Sequence, residues 1–398
     1  MTAGSERAGR VLYVQYTNPG AYPPIDHGAH LLAAAGFEVL LLGTDVLGDV
    51  LTVKAHPGIR VKLRPFRAAG PRQKWHYATF LVWSLAQAIR WRPDWIYASD
   101  PLSSPIALVL HLVTGARVVY HEHDAPAAST SPFMRGVLLA RRRLARRAAL
   151  CVLPNRQRAD AFGRETGRAD AVIVWNCPVR AEVAPPRALD GQGRVRALYA
   201  GSIVPNRLPV TVVRALALLP DDVSLTVVGY ETAGHPGYLA SLQDAARSIG
   251  VADRLVSLGP LSREGLMRTC AAYDVGIALF PLATNDPNEN TMVGASNKVF
   301  DYLAGGLAVL VADRPEWRRA VVDAGYGLEC DPGSEASIAA AFRWWLDHRA
   351  ERSAMGERGR QRILDDWNYE RAFRPVLDCI QGPLPGRGEP GYSTAATR

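Results

Sequence analysis

Cysteine is scarce and scattered in this chain. Its five copies, Cys151, Cys177, Cys270, Cys330 and Cys379, are odd in number and include no Cys-x-x-Cys pair. That pattern predicts reduced thiols of a cytoplasmic protein rather than a disulfide framework. Long apolar runs are lacking as well. The longest, around Phe80–Ile89 and Ile106–Val113, fall well short of the roughly 18–20 residues that a spanning helix needs, so no transmembrane helix is expected. The opening residues MTAGSERAGR hold no apolar core, and no secretory leader is predicted from them.

What is present is globular. The chain has 398 residues and 48% hydrophobic content, more than one ordinary core absorbs and suited to two domains of nearly equal size. The net charge of +8 is unevenly placed, with six arginines between Arg135 and Arg147. On a helical wheel Val137, Ala140, Leu144 and Ala148 share one face and Arg135, Arg142, Arg143 and Arg146 lie opposite,. Such a helix is either a solvated outer face packed by its apolar stripe or a peripheral contact for anionic lipid or an acidic partner. The expected location is therefore cytoplasmic, with this helix as the candidate contact with the inner face of a membrane. Aromatic residues are not interleaved with the arginines, so nucleic acid is not an expected partner.

From Val11 onward strand-like runs alternate with helical stretches: VLYVQY, EVLLLG, IRVKLRPF, DWIYASD, RVVYHEHD, ALCVLP and AVIVWN. A Pro- and Gly-rich break at Pro178–Gly193 follows, and the alternation restarts with RVRALYAG, VSLTVVGY, RLVSLG and VGIALFP. This predicts an α/β protein of two Rossmann-like domains with parallel sheets and a cleft between them. The expected divisions are a first domain over 1–180, a second over 194–365, a helix over 366–381 and a disordered tail over 382–398. Sites in such sheets lie at the carboxyl ends of strands.

One stretch near that edge organises the reading. Asn290–Ala312, NTMVGASNKVFDYLAGGLAVLVA, reads as a loop, a short helix and a buried strand. The helix start offers free N–H groups and a positive partial charge, a seat for a diphosphate. Lys298 supplies a compact cation, and Asp301, about one turn on, is placed for a sugar diol.

SNKVFDYLAGG resembles the donor segment of GT-B glycosyltransferases of the glycogen-synthase-like, retaining superfamily (glycosyltransferase family 4-like), with Asp301 five positions before Gly306. The resemblance implies that Asp301 binds the ribose of a nucleotide sugar. The superfamily's other acidic position falls on Val293, and the branch that this chain fits begins at Asn290 and continues through Lys298, Phe300, Asp301 and Tyr302. The same resemblance implies donor contacts from Asn297 and Val299. In the turn after RVRALYAG it places Gly201, Ser202 where relatives carry arginine, and Arg207 where they carry lysine, so Arg207 and Lys298 are the expected grip on the diphosphate. Gly229, Tyr230 and Leu261 fall on the nucleobase loops, with UDP expected. His123 and Asp124 match a His-acid pair facing the donor sugar. His121 and His123 are alternatively a metal pair, but no third ligand is evident and no metal or cofactor is expected. Gly20, Tyr22 and His27 are candidates for the acceptor side, and Asp100 for polar lining. The expected activity is hexosyl transfer with retention, independent of metal, from a UDP-sugar to a glycan, lipid-linked or natural-product acceptor. A nucleotide-sugar epimerase or hydrolase, or a catalytically silent partner subunit, remain the alternatives.

Overall fold

The computed structural model describes residues 8–46, 50–67, 70–126, 131–186 and 193–382. The expected linker lies partly outside that set, and the expected disordered tail lies outside it apart from Gly382.

Two parallel sheets carry the chain. The first has seven strands, β1 Arg10–Val14, β2 Glu38–Thr44, β3 Ile59–Arg64, β4 Trp95–Ser99, β5 Arg117–His121, β6 Leu150–Leu153 and β7 Val172–Ile173, in the order β3-β2-β1-β4-β5-β6-β7. The second has six, β8 Val195–Ile203, β9 Val223–Glu231, β10 Leu255–Gly259, β11 Val275–Ala278, β12 Ala308–Ala312 and β13 Gly327–Cys330, in the order β10-β9-β8-β11-β12-β13. Strand order reverses between β1 and β4 and again between β8 and β11, which opens a crevice at each carboxyl edge.

Helices cover both faces of each sheet because the central strands are apolar on both sides. On one face of the first sheet α1 (Pro23–Ala34) packs against Val11, Tyr13, Val39 and Leu41. On the other face Leu12, Leu40, Ile96 and Val118 meet α2 (Pro71–Trp91), α3 (Ser104–Thr114), α4 (Pro132–Arg147) and α5 (Arg156–Thr166). In the second half come α6 (Val210–Ala215), α7 (Tyr238–Ser248), α8 (Arg263–Cys270), α9 (Asn297–Ala304) and α10 (Pro315–Trp317). They are followed by α11 (Glu335–Asp347), α12 (Arg349–Asp365), α13 (Tyr369–Ala372) and α14 (Arg374–Gln381). Tyr369, Phe373, Val376 and Ile380, in and between the last two helices, bury themselves in the α1 face of the first sheet. The last described helices thus cross back to the first sheet.

The arginine helix is as the wheel predicts in one respect and different in another. Val137 and Leu144 are buried, and Arg135, Arg142, Arg143 and Arg146 are exposed. Arg141, however, turns inward, donating to Glu122 at 2.6 and 2.7 Å and to Glu165 at 2.7 Å.

Candidate active site

The donor segment forms as expected, and tertiary contacts aim it. Tyr302 of α9 donates to the Ile277 carbonyl of β11 at 3.2 Å and accepts from Ala200 N of β8 at 2.8 Å. Its ring occupies the space that a side chain at Gly276 would need. The start of α9 is thereby fixed beside the ends of β8 and β9. There Gly201 and Gly229 are neighbours in the ladder, with φ of 130° and 148°. A Cβ on Gly229 would strike the Gly201 carbonyl, and one on Gly201 would strike the Lys298 ammonium. Bare backbone is required at both positions.

A cleft of about 300 Å³ opens over this floor. Lys298 and Arg207 line it together, and among the described residues neither has a carboxylate within 4.0 Å. Burial first, and Arg207 second, push the Lys298 ammonium down to about 7. Its ammonium stands 5.1 Å from the centroid of the Tyr199 ring. These two basic groups, neither in direct contact with a carboxylate and with Lys298 at the N-terminus of α9, form a seat for an anion,.

Asp301 reaches the same cleft with its carboxylate already engaged. Arg263 of α8 donates to both its oxygens, at 2.7 and 2.8 Å, and to both oxygens of Glu182 at 2.8 Å. His27 Nε2 of α1 lies 3.1 Å from Glu182. Burial raises the Asp301 pKa against the pull of Arg263. Burial would also raise that of Glu182, yet the bonds from Arg263 and His27 hold it well below the carboxylate range. Sequence reading missed Arg263, whose Ser-Arg-Glu context carries no motif.

The opposite wall comes from the first sheet. His123 and Asp124 line it together with Gly20 and Tyr22. Asp100, at a φ of 66°, accepts from the backbone N–H groups of His123 (2.8 Å) and Asp124 (3.3 Å). Burial and then Arg158 push the His123 imidazole down to about 3, so its ring is neutral. His121 and His123 stand with ring centroids 3.9 Å apart, on the side away from Glu122, which goes to Arg141 and to the Tyr120 hydroxyl at 2.6 Å. No group of three His, Cys, Asp or Glu side chains suited to a metal occurs among the described residues.

Three side chains of the first domain, Arg158, Asn155 and Asn176, tie this wall to the donor loop, in addition to the paired bonds between Ala125 and Asn288. Arg158 donates to the His123 carbonyl, to the Thr291 hydroxyl (3.0 Å) and to the Asn288 carbonyl (3.1 Å). Asn155 reaches the Thr291 and Val293 carbonyls at 2.8 and 2.9 Å, and Asn176 the Ala295 carbonyl at 2.7 Å. Sequence reading missed all three, since an asparagine or arginine outside a motif gives no signal of a partner more than a hundred residues away.

Two patterns of known proteins match this chain. One, described as a glycosyl transferase 4-like domain, covers residues 25–178, and the other, described as glycosyl transferase-like, covers residues 211–378. This chain belongs to the GT-B, glycosyltransferase 4-like family. A D-inositol 3-phosphate glycosyltransferase of Mycobacteroides abscessus is 28% identical over 205 residues. That match takes in 44% of this chain and 44% of the relative, so it spans less than half of the curated protein's length. Among solved structures, Anabaena HepE in complex with UDP and glucose superposes with a TM-score of 0.71 at 16% identity, covering 94% of this chain and all of that one. Sucrose-phosphate synthase from Thermosynechococcus elongatus gives 0.70 at 15%, with 92% and 97% covered.

In this glycosyltransferase-family chain most residues expected at the donor side do share one cleft: Gly201, Ser202, Arg207, Gly229, Tyr230, Leu261, Asn297, Lys298 and Asp301. Three expected residues do not line it. Val299 is 1% exposed and packs in the core beneath α9. Asn290 donates to the Thr284 carbonyl at 2.8 Å and accepts from Arg314, bracing its loop. His27 lies behind Glu182, against Tyr369.

Proposed function

We propose that the cleft holds a UDP-sugar and passes its sugar, with retention, to a hydroxyl of a glycan, lipid-linked or natural-product acceptor. The observation that carries this reading is the pair Arg207 and Lys298 lining one cleft without a direct carboxylate contact, beside the start of α9 and over the bare Gly201–Gly229 floor. The diphosphate sits there. The base lies toward Tyr230 and Leu261, and the ribose lies against the Asp301–Arg263 pair, whose carboxylate keeps lone pairs beyond the two taken by the guanidinium. Anabaena HepE, whose structure holds UDP and glucose on the same fold, supports the choice of donor.

The chemistry asks for positioning and charge stabilisation more than for a protein base. The bond from the sugar's anomeric carbon to the diphosphate breaks, a bond to the acceptor oxygen forms on the same face, and the acceptor proton passes to the departing diphosphate. Arg207 and Lys298 stabilise the charge that builds on that leaving group. Neutral His123 presents a ring without charge to the sugar, and Gly20 and Tyr22 border the acceptor side. No metal or cofactor enters this scheme.

Turnover of a panel of UDP-, GDP- and dTDP-sugars, followed by mass spectrometry, tests the reading. Altered or free sugar from donor alone would point to an epimerase or hydrolase, and no turnover by the folded protein to a silent subunit. Arg207→Ala and Lys298→Ala should each weaken UDP binding at least about tenfold, the effect of one charged hydrogen bond. Unchanged affinity in both variants would remove the diphosphate assignment.

A further inference from the structure

Helix α2 shows an unusual outer face. Its inner face, Tyr77, Phe80 and Ala88, is in the core of the first sheet. The residues opposite, Trp75, Ala78, Val82, Ala86 and Ile89, are all exposed and all apolar. Trp75 is 74% exposed, Val82 65% and Ile89 54%. They recur every three or four residues, so they form one stripe about 21 Å long at 1.5 Å per residue. An outward stripe on a water-facing helix ordinarily carries charge, and an apolar one of this length marks a contact surface. The neighbouring elements continue it. Leu112 and Val113 on α3, Leu139 on α4, and Val61, Leu63 and Phe66 on or just after edge strand β3 are exposed as well.

Charge around this stripe has one sign. Between Val50 and Pro93 the sequence has no Asp or Glu and nine Lys or Arg. Helices α2, α3 and α4, which lie side by side on one face of the sheet, contain no acidic residue. Arg72 and Lys74 flank the stripe at one end and Arg90 and Arg92 at the other, while Arg60, Lys62 and Arg64 lie along β3. Asp45, which accepts from Phe66 N at 2.7 Å, is a local exception at the strand end.

We infer that this face, centred on the Trp75–Ile89 stripe of α2, docks on an anionic lipid bilayer. The apolar side chains enter the acyl boundary, and the surrounding arginines and lysines face the headgroup phosphates. Charge decides among occupants. A second copy joined by a two-fold axis would bring the same basic rim against itself, which like charges oppose. Nucleic acid would use the basic residues but gain nothing from an aliphatic stripe. Among the described residues no helix is long and apolar enough to cross a membrane, so the contact is peripheral. The arginines of α4 lie at its margin rather than at its centre. Tyr16, on the same loop as Gly20 and Tyr22, contacts this helix through His76 (2.9 Å) and Tyr77. The loop that lines the cleft therefore packs on the inner side of the helix whose outer side carries the stripe.

Co-sedimentation of the full chain with vesicles of phosphatidylcholine, with and without phosphatidylglycerol, at low and high salt, tests the inference. Binding should require the anionic lipid and fall with salt. The triple variant Trp75→Ser, Val82→Ser, Ile89→Ser should lose at least about tenfold in binding. Arg72→Glu with Lys74→Glu should also weaken it by about tenfold or more, each basic residue contributing about fivefold. Far-ultraviolet dichroism and UDP affinity should be unchanged in both. Those readouts keep loss of docking separate from loss of the nucleotide site. Equal binding to both vesicle types, no binding to either, or full binding by the triple variant would each overturn the inference. Tighter capture by single-stranded RNA than by anionic vesicles would overturn it too.

Discussion

Burial and the neighbouring Asp124 push the Asp100 carboxyl up to about 8, and this residue holds the His123–Asp124 turn by two backbone N–H groups. Its folded pKa is raised, so the native state keeps a proton that the unfolded chain has released. The stability this gives is complete below the ordinary aspartate value near 4 and is lost as pH rises through about 8. The protonated Oδ2 can donate to the Gln15 side-chain oxygen once that amide turns over, because Gln15 now points its nitrogen at Asp100 at 3.4 Å,. Between about pH 5 and pH 9 the melting temperature of Asp100→Asn should therefore fall by a few degrees less than that of wild type. Parallel pH profiles would show that Asp100 ionises normally. The sequence shows Asp100 at a strand end, but neither its left-handed backbone nor its two donors, both set by β5 lying beside β4.

At the scale of elements, α4 illustrates how a local pattern and a tertiary one separate. Its wheel correctly divides the buried Val137 and Leu144 from four exposed arginines. The pattern does not single out Arg141, which bridges buried Glu122 and half-exposed Glu165. Glu122 is 2% exposed, and without the guanidinium its charge would be stranded in the core. Arg141→Leu should cost about 3–5 kcal/mol in denaturant unfolding, whereas Arg142→Ala, on the outer face, should fall within about 0.5 kcal/mol of wild type. Adding Glu122→Gln to Arg141→Leu should recover much of the loss. A small effect of Arg141→Leu alone would mean that Glu122 finds another partner. The short helix α9 shows the converse: its own sequence reveals the helix, but its aim depends on Tyr302 filling the space above Gly276.

Across the whole molecule the chain His27–Glu182–Arg263–Asp301 joins α1 of the first sheet, the segment between the sheets, and α8 and α9 of the second. One guanidinium is shared by two carboxylates beside the proposed diphosphate seat. Arg263→Met would leave both facing each other and facing an incoming anion. UDP affinity measured by calorimetry should fall about tenfold or more, and stability by about 3–5 kcal/mol. Asp301→Asn added to Arg263→Met should restore part of both. Wild-type affinity in Arg263→Met would show that Asp301 meets the nucleotide without help. This layout also changes what Asp301 alone can reveal, since removing it would strand Arg263 as well as any ribose contact.

Periodicity and punctuation in the sequence were enough for the alternation of strands and helices, the two parallel sheets and the donor segment, because each depends on residues near one another in the chain. Motif spacing brought Gly201, Arg207, Lys298 and Asp301 to one cleft, since the ends of neighbouring parallel strands converge wherever those motifs close them. Tertiary structure alone decided how these groups are engaged. Whether Asp301 is free or held by Arg263, whether Asn290 faces the cleft or braces its loop, and which arginine of α4 turns inward depend on side chains brought together from distant segments. The apolar outer stripe of α2 belongs to the same class. Its residues can be read from the sequence, but only the packing of α2 on the sheet shows which side of the helix is left uncovered.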